Sequence, residues 1–142
     1  MRKVRFIAVL LIGILAIAAC KSAPPTEEDF RQVYERFQGD LILEGATTYT
    51  VKSGDTLAAI ARSVYNDGFY YPVIMLASRN IVLDPDKIEP GMKLTVPDLQ
   101  RNLADPRART NIKNFLLEIA KLEENRDRKA TADGIRARAN AL

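Results

Sequence analysis

Apolar residues near the middle of the chain first alternate with polar ones and then recur at helical spacing. Tyr49 and Val51 point one way between polar neighbours, which predicts a short, half-buried strand. The run Ser53-Gly54-Asp55 is typical of a turn that leads into a helix cap. The spacing i, i+3, i+4, i+7 then places four apolar residues on one face of a predicted helix: Leu57, Ile60, Ala61 and Val64.

A second helix and a second strand are predicted downstream of this pattern. Pro72 suits the first turn of a helix, and Asn80 is expected to end that helix in a left-handed conformation. Pro90-Gly91 predicts a turn into a strand in which Leu94 and Val96 point the same way. The predicted order of elements is therefore strand, helix, helix, strand.

Both flanks of this central segment carry apolar stripes at helical spacing. Thr26 to Asp29 resembles a capping box and opens the first stripe. Asp105-Pro106 opens another, and a last helix from about Thr131 contains Gly134, which costs about 1 kcal/mol inside a helix. We expect the stripes to dock on the central segment, with binding of a protein partner as the alternative. They consist of Phe30, Val33, Tyr34 and Phe37, then Ile112, Phe115, Leu116 and Ile119, then Ile135, Ala139 and Leu142.

The central residues resemble the LysM family, which consists of small βααβ modules that bind glycans containing N-acetylglucosamine. The resemblance is carried by Tyr-Thr-Val-Lys-Ser-Gly-Asp-Thr-Leu at 49–57, by Ile60-Ala61, by Asn80 and by Ile-Glu-Pro-Gly-Met-Lys-Leu-Thr-Val-Pro at 88–97. It implies an α+β fold in which a two-stranded antiparallel sheet has two helices on one face. Met92 stands where Gln is usual, and residues 81–87 lengthen the connection before Ile88.

The same resemblance implies a shallow glycan groove between two loops. Leu57 and either Ile81 or Val82 would cover the N-acetyl methyl group, while exposed backbone groups bond its amide. Asp55 and Thr56 also have a structural interpretation as a helix cap, and Leu57 has one as a core residue. The predicted glycan-binding residues are Gly54, Asp55, Thr56, Leu57, Asn80, Ile81 and Val82.

The N-terminus has the pattern of an export signal. Three basic residues precede a short apolar run that ends near Ala19, which is typical of a secretory signal peptide. Ile17-Ala18-Ala19-Cys20 resembles a bacterial lipobox, in which the cysteine is acylated and becomes the new N-terminus. Lys21 follows in place of the inner-membrane retention residue Asp, so the outer membrane is the expected destination. A permanent anchor helix is the alternative.

Charge and composition narrow the function further. Three of the 21 basic residues precede Cys20, so 18 basic and 18 acidic residues remain after signal removal, and no nucleic-acid partner is predicted. The chain has no His and a single Cys, which excludes Ser-His and Cys-His catalysis and a His-based zinc site. Asp84 and Asp86 are interpreted as turn formers and not as calcium ligands. We predict no enzyme activity, no metal and no cofactor beyond the lipid on Cys20.

These observations give a complete prediction for the chain. The expected segments are a signal peptide at 1–19, an acylated Cys and tether at 20–25, an amphipathic helix and connection at 26–46, a LysM domain at 47–98 and a helical hairpin at 99–142. The expected function is non-catalytic binding of peptidoglycan or N-acetylglucosamine oligomers on the periplasmic face, linking a membrane to the cell wall. The alternative is an envelope adaptor whose flanking helices bind a protein partner, with little or no glycan binding.

Overall fold

The computed structural model describes residues 23–142, so the predicted signal peptide, the predicted lipobox and Cys20 lie outside the described residues. Within residues 23–142 no helix has the combination of length and apolar character that crossing a bilayer requires. The elements are α1 Glu27–Phe37, β1 Thr47–Thr50, α2 Leu57–Tyr65, a 3-10 turn Gly68–Tyr70, α3 Tyr71–Ala77, β2 Lys93–Val96, α4 Leu99–Ala104, α5 Pro106–Asn125 and α6 Lys129–Asn140.

The predicted α+β class is confirmed by a two-stranded antiparallel sheet with helices before, between and after its strands. Tyr49 of β1 lies opposite Leu94 of β2, and Thr47 lies opposite Val96. Beyond the strands, the N–H of Val51 donates to the carbonyl of Met92 at 2.9 Å. The structure therefore confirms the predicted order of strand, helix, helix and strand.

Three details of the helices differ from the prediction. The helix α3 ends at Ala77, and Asn80 has no left-handed backbone; the left-handed stop is Asn66, which ends α2 with φ of 58°. Val64 is 41% exposed, although the other three residues of its stripe are buried; it lies in the last turn of α2, which ends at Tyr65, and it lines an open groove. The short helix α4, which Asp98 caps through a 3.0 Å bond to the N–H of Arg101, was not predicted.

The N-terminal helix packs onto the rest of the fold through its apolar stripe. Asp29 accepts hydrogen bonds from the N–H of Thr26 at 2.7 Å and from its hydroxyl at 2.8 Å, which confirms the predicted cap. Phe30 and Tyr34 are buried, and Phe115 of α5 stacks on Tyr34 with ring centroids 5.9 Å apart. These aromatic residues belong to the same hydrophobic core as the central helices. The predicted docking of the flanks is therefore confirmed.

The helices α5 and α6 form the predicted C-terminal hairpin, and α6 packs on the 3-10 turn. Gly134 makes this packing possible, because a Cβ atom there would lie about 2.3 Å from the ring of Phe69. The Cζ atom of Arg138 lies 4.9 Å from the centroid of the same ring, and its Nε atom donates to Oδ2 of Asp67 at 2.7 Å. The glycine that weakens α6 as an isolated helix is required by its contact with the central module.

Candidate functional site

The turn that follows β1 is held by one carboxylate. Asp55 accepts hydrogen bonds from the N–H of Lys52 at 2.8 Å and from the hydroxyl of Tyr49 at 2.9 Å. These bonds hold the pKa of Asp55 below its ordinary value, and the bond to Asp55 raises the pKa of Tyr49. Gly54 has φ of +85°, a conformation that favours glycine, and its missing side chain would point into open space. The predicted helix-cap role of Asp55 is wrong, because its side chain is used within the turn and the cap of α2 is Thr56.

The start of α2 presents free backbone donors. Thr56 caps the helix: its hydroxyl accepts from the N–H of Ala59 at 3.2 Å and its carbonyl from the N–H of Ile60 at 2.9 Å. The N–H groups of Leu57 and Ala58 have no hydrogen-bond partner within residues 23–142, as expected for the first turn of a helix. The side chain of Leu57 is buried in the core. What this loop offers a ligand is therefore its exposed Thr56 and these two amides.

The second predicted loop has fewer free groups. The N–H groups of Ile81 and Val82 both donate to the carbonyl of Ser78 at 2.9 Å. Val82 is buried, and its carbonyl accepts from the hydroxyl of Tyr34 at 2.7 Å. Ile81 is 45% exposed and remains available as an apolar surface. Asn80 is exposed and lines a separate cleft shared with α1.

The seven predicted residues thus do not line one cleft together. Thr56 and Leu57 line a cleft of about 150 Å³ whose other walls come from the end of the second loop and from the C-terminal hairpin. Gly54, Asp55, Ile81 and Val82 do not line it. The remaining lining residues are Ala58, Tyr71, Pro85, Asp86, Glu123, Arg128 and Thr131. Sequence reasoning missed the hairpin residues, because they lie more than sixty positions from Thr56 and no local pattern links them to it.

Two arginines of the hairpin connection fix one wall of this cleft. Arg126 bonds both oxygens of Asp84, and Arg128 bonds Asp86 and, at 3.4 Å, Glu123. Asp84 also accepts from the N–H of Asp86 at 3.0 Å, so its predicted role in a turn is correct. Burial opposes ionisation of Asp84, but Arg126 and the N–H of Asp86 outweigh it and hold its pKa below the ordinary value.

Glu123 lies against this wall and is enclosed by it. Its side chain is only 1% exposed, and its Oε1 atom has no hydrogen-bond partner within residues 23–142. Burial raises the pKa of Glu123, against the opposing effects of Arg128 and of the phenol of Tyr71. Burial also raises the pKa of Tyr71, and the Glu123 carboxylate raises it further. Glu123 is therefore enclosed against Tyr71 and Arg128 on the side of the cleft that the hairpin supplies.

A larger groove of about 530 Å³ lies elsewhere, along α2 and the end of β2. The exposed Val64 lines it together with Tyr65 and Asn66. The hydroxyl of Tyr65 is used within the fold, donating to the carbonyl of Pro97 at 3.0 Å. None of the seven predicted residues borders this groove.

Comparison with known proteins agrees with the geometry of the central module. Residues 49–97 match the LysM domain. Over 50 residues the chain is 48% identical to the "Potassium binding protein Kbp" of Escherichia coli, a match that covers 35% of this chain and 34% of that protein. An uncharacterised protein of Deinococcus radiodurans is 47% identical over 53 residues, which are 37% of this chain and 20% of that protein.

An esterase of Mycobacterium tuberculosis is 41% identical over 61 residues, which make up 43% of this chain and 13% of the esterase. This chain therefore spans about a third or less of the length of the curated relatives it matches. The match to the esterase covers the LysM part, and LysM is a binding domain that supports recognition of glycans such as peptidoglycan. A LysM domain is therefore found at residues 49–97 of this chain.

Proposed function

We propose that this protein binds N-acetylglucosamine-containing glycan of peptidoglycan through its LysM domain, without catalysing a reaction on it. The observation that carries the proposal is the LysM match at residues 49–97. In agreement with it, the start of α2 presents unpaired amides and the exposed Thr56 beside a cleft. Such donors suit the carbonyl of an N-acetyl group.

We also propose that Cys20 is lipidated and holds the protein on the periplasmic face of a membrane, the outer one in a two-membrane bacterium. A small glycan cleft buries few ligand atoms, so each contact is expected to be weak, of order micromolar to millimolar. Attached acyl chains contribute about 0.8 kcal/mol per buried methylene. With one end in a membrane, binding to the wall becomes effectively intramolecular, which raises the total strength of attachment. The protein would then link an envelope membrane to the wall.

The alternative of a protein adaptor has less support from the flanking helices. The stripes that would have met a partner are buried inside this chain, including Phe30, Phe115 and Leu116. The groove beside Val64 contains no residue of the flanking stripes, whereas Phe37 and Tyr34 each line a smaller cleft. The flanks are therefore better explained as part of the fold that supports the LysM domain.

Co-sedimentation with purified sacculi tests the proposed function. The buried apolar residues of 23–142 form one connected hydrophobic core, and this segment omits the proposed membrane-targeting residues, so it is the form to use in the experiment. We expect this form to sediment with sacculi and to be released by soluble N-acetylglucosamine oligomers. Failure to sediment, or sedimentation that such oligomers do not reverse, would contradict glycan binding and favour the adaptor.

A further inference from the structure

The cleft beside Thr56 has one wall that belongs to no helix or strand. Pro85 and Asp86 form this wall, across the cleft from the start of α2. Within residues 23–142, no backbone hydrogen bond joins residues 83–90 to a helix or strand, and the backbone bonds that these residues make are local turns. The spacing between the wall and α2 is therefore set by side chains.

One guanidinium holds this wall from the C-terminal hairpin. Arg126 donates to the two carboxylate oxygens of Asp84 at 3.0 and 2.9 Å, and to Oδ2 of Asp86 at 3.0 Å. It thus bonds both the residue before Pro85 and the residue after it. The Arg126 side chain is only 8% exposed, and its Cζ atom lies 4.7 Å from the ring centroid of Phe30 in α1. Because Arg126 is itself held in place, it can hold the wall.

Other contacts hold the ends of the same segment more than its middle. Val82 is buried before the wall, and Ile88 packs against the core after it. Lys87 pairs with Glu27 of α1 at 2.7 Å, but their side chains are 63% and 41% exposed, and such exposed pairs contribute little. The middle of the segment is therefore held chiefly by the buried Arg126.

We infer that Arg126 is a positioning residue for the cleft, because it keeps the Pro85 wall at the spacing from α2 that a bound glycan requires. The inference rests on the proposed glycan binding and adds a determinant outside the LysM match at residues 49–97. Arg126 does not line the cleft, so it acts through Asp84 and Asp86 and not by touching the ligand. The C-terminal hairpin then contributes to recognition as well as to stability.

Loss of this hold lowers affinity through the population of the binding shape. When the wall is in place in only a fraction of the molecules, the apparent dissociation constant is the intrinsic one divided by that fraction. Arg126→Lys keeps the positive charge, but its single nitrogen cannot replace the planar fork that bonds Asp84 and Asp86 together. We expect glycan binding about three- to tenfold weaker, as when the wall is in place in roughly a third to a tenth of the molecules.

The test compares two arginines with similar surroundings. Arg138 also combines an ion pair, to Asp67 at 2.7 Å, with a ring, that of Phe69 at 4.9 Å, and it does not line the cleft. The full 142-residue chain, Arg126→Lys and Arg138→Lys are kept in detergent and titrated calorimetrically with a soluble β-1,4-linked N-acetylglucosamine oligomer. Thermal melting is recorded for each. We expect Arg138→Lys to bind like the parent.

A second readout separates positioning from a general loss of stability. Relaxation dispersion of backbone amides detects exchange between conformations on the microsecond-to-millisecond timescale. We expect such exchange at Asp86 and Lys87 in Arg126→Lys, suppressed at saturation with the oligomer, and none there in the parent or in Arg138→Lys. A general loss of stability would instead produce exchange throughout the core.

The outcomes separate this inference from the proposed function. Equal binding by the parent and Arg126→Lys would overturn the positioning role and leave the proposed function standing. Equal weakening in both variants would do the same, because affinity would then follow general stability. No binding by the parent would overturn the proposed function and this inference with it. If Arg126→Lys does not fold, the ligand-free parent decides: exchange at Asp86 and Lys87 that the oligomer suppresses would show that the wall is not held before binding, whereas a flat profile there would support the inference.

Discussion

The guanidinium of Arg126 makes a two-point ion pair with the carboxylate of Asp84, through Nη1–Oδ1 at 3.0 Å and Nη2–Oδ2 at 2.9 Å. The two side chains are 8% and 10% exposed. The same guanidinium lies 4.7 Å from the ring centroid of Phe30 in α1. One side chain of the C-terminal hairpin connection thus contacts both the N-terminal helix and the loop that follows α3.

Arg126→Met should destabilise the fold strongly. Removing one partner of a buried ion pair leaves the other charge uncompensated, which typically costs about 3–5 kcal/mol. Chemical unfolding of residues 23–142 measures the change. Arg101→Met is the matched control, because Arg101 pairs with Glu44 at 2.7 Å but both side chains are exposed, so about 0–1 kcal/mol is expected. Equal losses in the two variants would contradict the importance of burial at Arg126.

The pKa of Asp84 predicts how stability varies with pH. Because the folded-state pKa is lowered from its ordinary 3.8, the stabilisation by ionised Asp84 is fully present above that value and is lost as the pH falls below it. In Arg126→Met, burial should instead raise this pKa, so acidification should cost less stability than in the parent. Asp29, Asp55 and Glu118 also have lowered pKa values, so they should contribute the same loss of unfolding free energy at low pH in both proteins. Parallel pH profiles of unfolding free energy would rule out this role for Asp84.

Residues 47–99 should fold alone but melt at a lower temperature than residues 23–142. The flanks add buried aromatic and aliphatic contacts to the core, and burial of apolar area stabilises by about 25 cal/mol per Å². Tyr34→Phe tests a single hydrogen bond between the N-terminal helix and the loop after α3. It leaves the buried carbonyl of Val82 unpaired, at a cost of roughly 1–3 kcal/mol. Calorimetric melting compares the forms, and identical melting temperatures with and without the flanks would show that they are independent.

Gly54→Val should abolish glycan binding while leaving the fold nearly intact. A side chain at φ of +85° is strained, so the turn that leads to Thr56 must change shape. Gly45→Val is a control of the same kind, with φ of +80°, at the other end of β1. Sacculus co-sedimentation measures binding, and circular dichroism measures folding. If Gly54→Val binds sacculi as strongly as Gly45→Val does, and both bind, this turn is not part of the binding site.

Cys20→Ser should give a protein that is not acylated and no longer partitions into detergent on phase separation. The expectation follows from the lipobox-like residues 17–20, since serine cannot form the thioether that carries the lipid. Lys21→Ser is a control that leaves the cysteine in place. Detergent partitioning that is the same in the parent and in Cys20→Ser would contradict the lipoprotein assignment.

Local residue chemistry was enough to predict the central module. The period-2 pattern around Tyr49, the helical pattern from Leu57 and the turn at Pro90-Gly91 each involve neighbours within one or two turns of chain. The helix caps formed by Thr26 with Asp29 and by Thr56 with Ala59 could be predicted for the same reason. Propensity and spacing act over short distances, so these elements follow from the sequence by itself.

Long-range packing decided the rest. The sequence predicts that Gly134 destabilises α6, but the ring of Phe69 leaves no room for a Cβ atom at that position. It also grouped Val82 with the glycan-binding residues, although Tyr34, 48 positions away, takes its carbonyl. Glu123 resembles any polar residue at the end of an amphipathic helix until Arg128 and Tyr71 enclose it. Burial and hydrogen-bond competition depend on segments that meet only when the chain folds, and no local pattern encodes them.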